Sequence, residues 1–165
     1  MLEAQCEIEE EVKLKEGIIL KPGEARSVSL RGNQLEFLVT GEHSKRCTVY
    51  SYTLQPGFNA GLHYHTKFEE MFYVVEGELS FRLGDKVVHG GPGTFMFVPP
   101  RIAHEISNPG PEIARMLMIN TPPGYERYFQ KVADVFAKEG PLDTEMIAEL
   151  RREYDTVQVT PPRTR

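Results

Sequence analysis

The sequence is poor in cysteine, which excludes a disulfide-stapled fold. Only Cys6 and Cys47 occur among 165 residues, far apart and outside any CxxC pair. Both are read as free thiols, as suits a reducing cytoplasm. Long apolar runs are missing too. The longest is a few residues, so no segment is expected to span a bilayer. An excess of positive charge is also absent: the net charge is -5 and the pI about 5.6. That balance disfavours nucleic acid or an anionic membrane as a partner. The opening MLEAQCEIEEEV is acidic and lacks the basic and apolar regions of a signal peptide, so a cytoplasmic location is expected.

What is present suits one compact soluble domain. Hydrophobic residues make up 40% and charged residues 26%, both ordinary values. There are 14 Gly and 12 Pro, many of them between short runs with β character. Such runs are expected at 18–20, 27–30, 35–40, 47–54, 71–75, 79–83, 86–89, 94–98 and 113–120. Turn residues at Pro22-Gly23, Gly32-Asn33, Pro56-Gly57, Glu76-Gly77 and Gly84-Asp85 punctuate them. Many short strands at close intervals predict a β-sandwich or barrel. After Thr121-Pro122-Pro123-Gly124 the period changes. Tyr125, Tyr128, Phe129, Val132 and Phe136 follow helical spacing, and Gly140-Pro141 is expected to stop that helix. Asp143 or Thr144 caps a second one, with Met146, Ile147, Leu150 and Tyr154 on one face. Both helices are expected to cover an open end or face of the β-structure. The expected organisation is a loosely held segment at 1–16, a β-barrel over 17–120, a helical segment over 121–159 and a tail at 160–165.

The chemistry sits in GFNAGLHYHTKFEEMFYVVEG, residues 57–77, and in a later histidine, His104. His63 and His65 are two apart, so on a strand both imidazoles project from one face. Glu70 opens the next strand and offers an oxygen. His104 arrives on a strand after Pro99-Pro100. Three imidazoles and a carboxylate suit Fe, Mn, Ni, Cu or Zn, and are too rich in nitrogen for Mg or Ca. Four protein ligands leave positions open on a metal that prefers five or six. His43 and His89 have no partner at ligand spacing and are read as ordinary polar residues.

These residues fall into two motifs that resemble the cupin superfamily. Gly57, His63, His65, Glu70 and Gly77 fit G-x5-H-x-H-x4-E-x6-G. Gly93, Pro99, His104 and Asn108 fit G-x5-P-x-G-x2-H-x3-N, except that Arg101 stands where the pattern has glycine. The chain is similar to the small single-domain cupins related to quercetin 2,3-dioxygenase, in which a PGF/YER helix follows the last strand. Here that segment is PPGYERYF, residues 122–129. The resemblance implies a double-stranded β-helix, or jelly roll, with C-terminal helices. It implies one divalent transition metal held by His63, His65, Glu70 and His104, with Glu70 also able to act as a catalytic base. Glu69 should face away from Glu70, either solvated or supporting the ligands from behind. Asn108 reads as a turn or strand-end residue. Arg101 reads as a solvated surface arginine, or as a cation near a pocket mouth that would suit an acidic substrate.

Parity suggests the pocket lining. With Glu70 inward, Phe72 and Val74 follow; with His104 inward, Ile102 and Ile106 follow. Three functions remain open. One is a dioxygenase-like oxidoreductase acting on a small phenolic or enol-like compound. A second is a non-redox isomerase or cyclase, and a third is a ligand-binding cupin without turnover. A homodimer is expected, because cupins commonly pair and β-folds leave edge strands.

Overall fold

A computed structural model describes residues 17–139 and 141–159. Its strands form two antiparallel sheets. The larger has the order β1 (Arg26–Leu30), β2 (Asn33–Val39), β3 (Thr48–Leu54), β10 (Ala114–Thr121), β5 (Glu69–Glu76) and β8 (Phe95–Val98). The smaller has the order β11 (Val157–Gln158), β4 (His63–Tyr64), β9 (His104–Ser107), β6 (Leu79–Leu83) and β7 (Lys86–Gly90). This mostly-β layout with C-terminal helices is that of a jelly roll.

Alternation along the strands makes the core. On β3 the buried residues are Thr48, Tyr50, Tyr52 and Leu54, and on β10 they are Ala114, Met116, Met118 and Asn120. Leu35 and Phe37 of β2, Phe72 and Val74 of β5, and Met96 and Val98 of β8 join them. From the smaller sheet Leu79, Phe81 and Ile106 complete one continuous cluster. The same parity buries Glu70 on β5 and His104 on β9. Polar site residues thus share the inward faces with the apolar core, where they are tolerated only if paired or coordinated.

One turn shows why glycine is needed. Gly77, between β5 and β6, has φ +73, and a Cβ there would lie 2.6 Å from the Ile113 carbonyl oxygen and 2.8 Å from Ala114 Cα. Any side chain would meet both a left-handed backbone and a neighbouring strand.

Two helices follow β10. α1 (Glu126–Phe136) buries Tyr128, Val132 and Val135, and α2 (Thr144–Glu153) buries Ile147 and Leu150. Asp143 is the cap of α2, accepting the Met146 backbone N–H at 2.9 Å. α1 already ends at Phe136, ahead of the expected stop; Gly140 of that stop lies outside the described residues. α1 packs on both α2 and β1.

Two expectations change. Residues 18–20 form no strand; Ile19 is 91% exposed, and this run pairs with nothing among the described residues. Hydrophobicity without alternation was too little to define a strand there. The helical segment ends in a short strand, β11, which pairs with β4. The expectations for 1–16, for Cys6 and for 160–165 lie outside the described residues, while Cys47 is a free thiol. Among the described residues no helix is long and apolar enough to cross a membrane.

Candidate metal centre

The four residues expected as ligands come together. One ligand atom from each of His63, His65, Glu70 and His104 lies within 4.8 Å of the others. β4 supplies His63, and the turn after it supplies His65. β5 supplies Glu70. His63 pairs directly with His104 across β4 and β9. The site therefore spans both sheets, and three of its members are almost fully buried: His65 at 2%, Glu70 at 3% and His104 at 1% exposure.

Each imidazole is oriented by a backbone carbonyl at its Nδ1. His63 meets Gly61 O at 2.7 Å, His65 meets Asp155 O at 2.8 Å and His104 meets Ile102 O at 3.1 Å. A carbonyl oxygen can only accept, so each Nδ1 carries the hydrogen and each Nε2 is left for something else. Glu70 is oriented likewise: Asn120 Nδ2 donates to its Oε1 at 2.7 Å. That leaves Oε2, which lies 2.7 Å from His104 Nε2 and 3.2 Å from His65 Nε2.

These three inner atoms make no hydrogen bond of good geometry, although all are buried. With Nδ1 protonated in neutral imidazoles, lone pairs of Nε2 and Oε2 face one another at these distances. Only a cation between them resolves that conflict, either a metal ion or an extra proton on a ring. The donor set, the burial and the orphaned atoms all fit a divalent transition metal.

The proton affinities agree. Burial opposes ionisation of Glu70, but the imidazoles of His104 and His65 beside it outweigh burial and hold the carboxyl well below its usual range. Burial also opposes protonation of His65, yet Glu70 next to it raises the imidazole above its ordinary value. His63 goes the other way: burial, reinforced by His104, lowers it to about 4.

The site opens into a cavity of about 430 Å³. His63, Glu70 and His104 form its polar floor. Tyr52, Phe58, Phe72, Tyr125, Tyr128 and Phe129 make much of its wall. All but Phe72 of these rings form an edge-to-face and stacked cluster, with centroid separations such as 5.6 Å for Tyr52–Phe58 and 5.2 Å for Tyr125–Phe129. Phe72 and Ile106 reach the cavity as parity suggested. Val74 is fully buried in the core and does not line it. Ile102 is 39% exposed and does not line it either. β9 begins at His104, so strand alternation does not extend back to Ile102.

The remaining candidates are also placed. Glu69 accepts from Thr121 Oγ1 at 3.1 Å, away from the ligand cluster. Asn108 ties the loop before β10 together, donating to Leu54 O and Glu112 O and accepting from the Gly110 backbone. Arg101 keeps the left-handed backbone that its glycine counterpart would adopt, with φ 69, and its N–H donates to His65 O. Its exposed side chain does not line the cavity. His43 accepts from the Thr40 backbone, and His89 is exposed on β7.

The residue that sequence reasoning missed is Asp155. Its carbonyl orients His65, while its carboxylate accepts from Thr66 N at 2.9 Å, Thr66 Oγ1 at 2.5 Å and Lys67 N at 2.7 Å. Asp155 has φ 57, which aspartate tolerates better than most residues. Beyond it, β11 pairs with β4, setting Gln158 against His63. The C-terminal segment is thus a strap that holds the loop bearing His65. Asn120 was also missed, though its burial parity on β10 was a usable signal.

Residues 50–120 match the family model of the cupin domain. These residues resemble a cupin domain. All four candidate ligands fall inside it; the helices, Asp155 and β11 lie beyond it. Solved structures share the fold. KdgF from Halomonas sp. is 16% identical, with 68% of this chain and 99% of that one covered and a TM-score of 0.61. The polyketide cyclase RemF from Streptomyces resistomycificus is 18% identical, covering 64% and 80%, with a TM-score of 0.58. A predicted oxalate decarboxylase from Thermotoga maritima is 25% identical, covering 64% and 99%, with a TM-score of 0.56. Among curated proteins, none matches this chain.

Proposed function

We propose that this cupin is a metal-dependent enzyme acting on a small phenolic or enol-like compound, in dioxygenase-like chemistry. The observation that carries the reading is the set of buried, carbonyl-oriented ligand atoms opening into an aromatic cavity. A divalent transition metal held by His63, His65, Glu70 and His104 would supply Lewis acidity and, if redox-active, access to dioxygen chemistry. The chain's own residues supply the rest. Aromatic walls exclude water and pack a flat substrate. Glu70, fixed at Oε1 by Asn120, stands at the cavity floor to share a proton with a substrate hydroxyl.

The test has two stages. Elemental analysis of purified protein should give about one metal per chain. His104→Ala should lose that metal while its circular dichroism remains that of a β-fold; full occupancy in the variant would refute the ligand assignment. Oxygen uptake is then followed with a panel of flavonols and smaller enols. Turnover with oxygen consumed supports the dioxygenase-like reading. Turnover without it assigns the site to isomerisation or ring closure instead.

A further inference from the structure

Besides the candidate ligands, two arginines line the cavity: Arg31 and Arg151. Arg31 sits in the two-residue turn Arg31-Gly32 between β1 and β2, and Arg151 is in the last turn of α2. Among the described residues neither belongs to an ion pair. Glu70 is the only acidic side chain in the lining, and its inner oxygen already faces the imidazoles. The chain as a whole is acidic, with 24 Asp and Glu against 19 Lys and Arg, yet the cavity wall is cationic.

The placement of Arg31 is unusual in its own right. Arg31 has φ 54 and Gly32 has φ 87, the two left-handed residues of a type I′ hairpin. Asparagine, aspartate or glycine takes the first of these positions at least cost. The turn is held in place by Asn33, whose side chain donates to Leu30 O and accepts from Gln55 N, both at 2.8 Å. Its guanidinium lies over the Phe136 ring, 5.8 Å from the centroid. Arg151 lies beside Tyr128, which also lines the cavity, and its charge opposes the effect of burial on that phenol. A residue that breaks a local rule at the rim of a cavity points to a role in that cavity.

We propose that Arg31 and Arg151 form an anion-recognising end of the cavity, so that its occupant is an aromatic compound with a carboxylate at the end remote from the metal. This rests on the metal-centre reading above, because it places the substrate's other end on the cavity floor. The guanidinium fork pairs with a carboxylate through two parallel hydrogen bonds. The aromatic side chains that line the same cavity take the ring.

Catechol acids make suitable probes, since one end suits a metal and the other an arginine. Zinc-loaded protein is titrated calorimetrically with 3,4-dihydroxybenzoate and 3,4-dihydroxycinnamate, and with the amide of each. The acid should bind about tenfold more tightly than its amide, a gap that narrows as salt is raised. Arg151→Gln should remove most of that gap and leave the affinity for the amide unchanged, which also shows that the variant is folded. Arg31→Gln, in an exposed turn, should narrow the gap less. Equal affinity for acid and amide in the wild type, or a gap that survives in the double variant, overturns the proposal. A chain that takes up no zinc defeats the metal reading alone. The arginines are then tested with 3-phenylpropionate and its amide, for which the same gap and the same losses are expected, and equal binding overturns the proposal.

Discussion

Asp155→Ala is the most informative single change to the site, because it touches no ligand directly. The carboxylate accepts two backbone N–H bonds and one hydroxyl bond from Thr66 and Lys67. Each charge-assisted bond contributes about 1.5–3 kcal/mol where water is excluded, and less where Lys67 is exposed. Water can reach part of this loop, so a net loss of about 2–4 kcal/mol of stability is expected. The second effect falls on the metal. The Asp155 carbonyl that holds His65 Nδ1 is a backbone group and survives the substitution, but the turn that presents it loses its clamp. Removing such outer support weakens metal binding about 10- to 100-fold. Competition against a chromophoric chelator measures that affinity directly, and thermal unfolding with and without metal measures the stability. Two companions separate the causes. Asp155→Asn tolerates the left-handed backbone and keeps an acceptor, so it should lose less on both scales. Asp155→Gly suits the backbone but lacks the acceptor, so it should resemble the alanine variant. If Asp155→Ala holds the metal as tightly as the wild type, the strap does not position His65 and the reasoning fails.

Other outcomes follow from the same geometry. Asn120→Ala frees Glu70 Oε1 in a buried site and should cost about 1–3 kcal/mol together with a weaker metal, read by the same chelator competition; unchanged affinity would show that Glu70 needs no anchor. Metal affinity should climb as pH rises above 6.5, because His65 holds its proton above its ordinary value and must release it to bind; a flat profile from pH 6 to 8 would count against this. In the metal-free protein His63 is held neutral, with a folded value of about 4 against 6.5. The stability this confers is present above pH 6.5 and is lost as pH falls from 6.5 towards 4. His65 contributes in the opposite sense: its stability is present below pH 6.5 and is lost as pH rises through its raised folded value. Denaturant midpoints of His63→Ala and wild type should converge as pH falls between 6.5 and 4, and parallel curves would refute the assignment. Gly77→Ala should destabilise by about 2–4 kcal/mol through its left-handed backbone and its clash with Ile113 O; an unchanged denaturant midpoint would refute that.

The candidate ligands were legible in the sequence for a simple reason. His63, His65 and Glu70 lie within eight residues, so they come together locally even though His65 sits in the turn after β4. His104 needed a second motif to enter the frame, and its pairing with His63 shows why that frame exists: the two strands are neighbours in one sheet. Alternation likewise gave β3 and the inward faces of β5 and β10. It failed at Ile102, which precedes its strand, and at residues 18–20, where apolar character had no partner to pair with. Contacts between distant parts of the chain were not legible at all. Asp155 reaches Thr66 across 89 positions, and nothing local in TYR-ASP-THR at 154–156 marks it as a clamp.

That pattern separates the cupin-like residues 50–120 from the rest of the chain. The ligand set, its carbonyl partners at Gly61 and Ile102, and the Asn120 anchor on Glu70 all lie within residues 50–120. The third carbonyl, from Asp155, does not, and neither do Arg31, Arg151 or the aromatic residues of α1 that close the cavity. The matched region therefore holds all four candidate ligands but not the whole cavity wall. The cavity wall is shared: Tyr52, Phe58 and Phe72 come from residues 50–120, while the β1–β2 turn and the C-terminal helices add Arg31, Tyr128, Phe129 and Arg151. Arg101 apart, the non-glycine residues with a left-handed backbone among those described are Arg31 and Asp155, and both belong to segments outside residues 50–120. One faces the cavity and the other braces a ligand, so both departures from ordinary turn chemistry serve the site rather than the core.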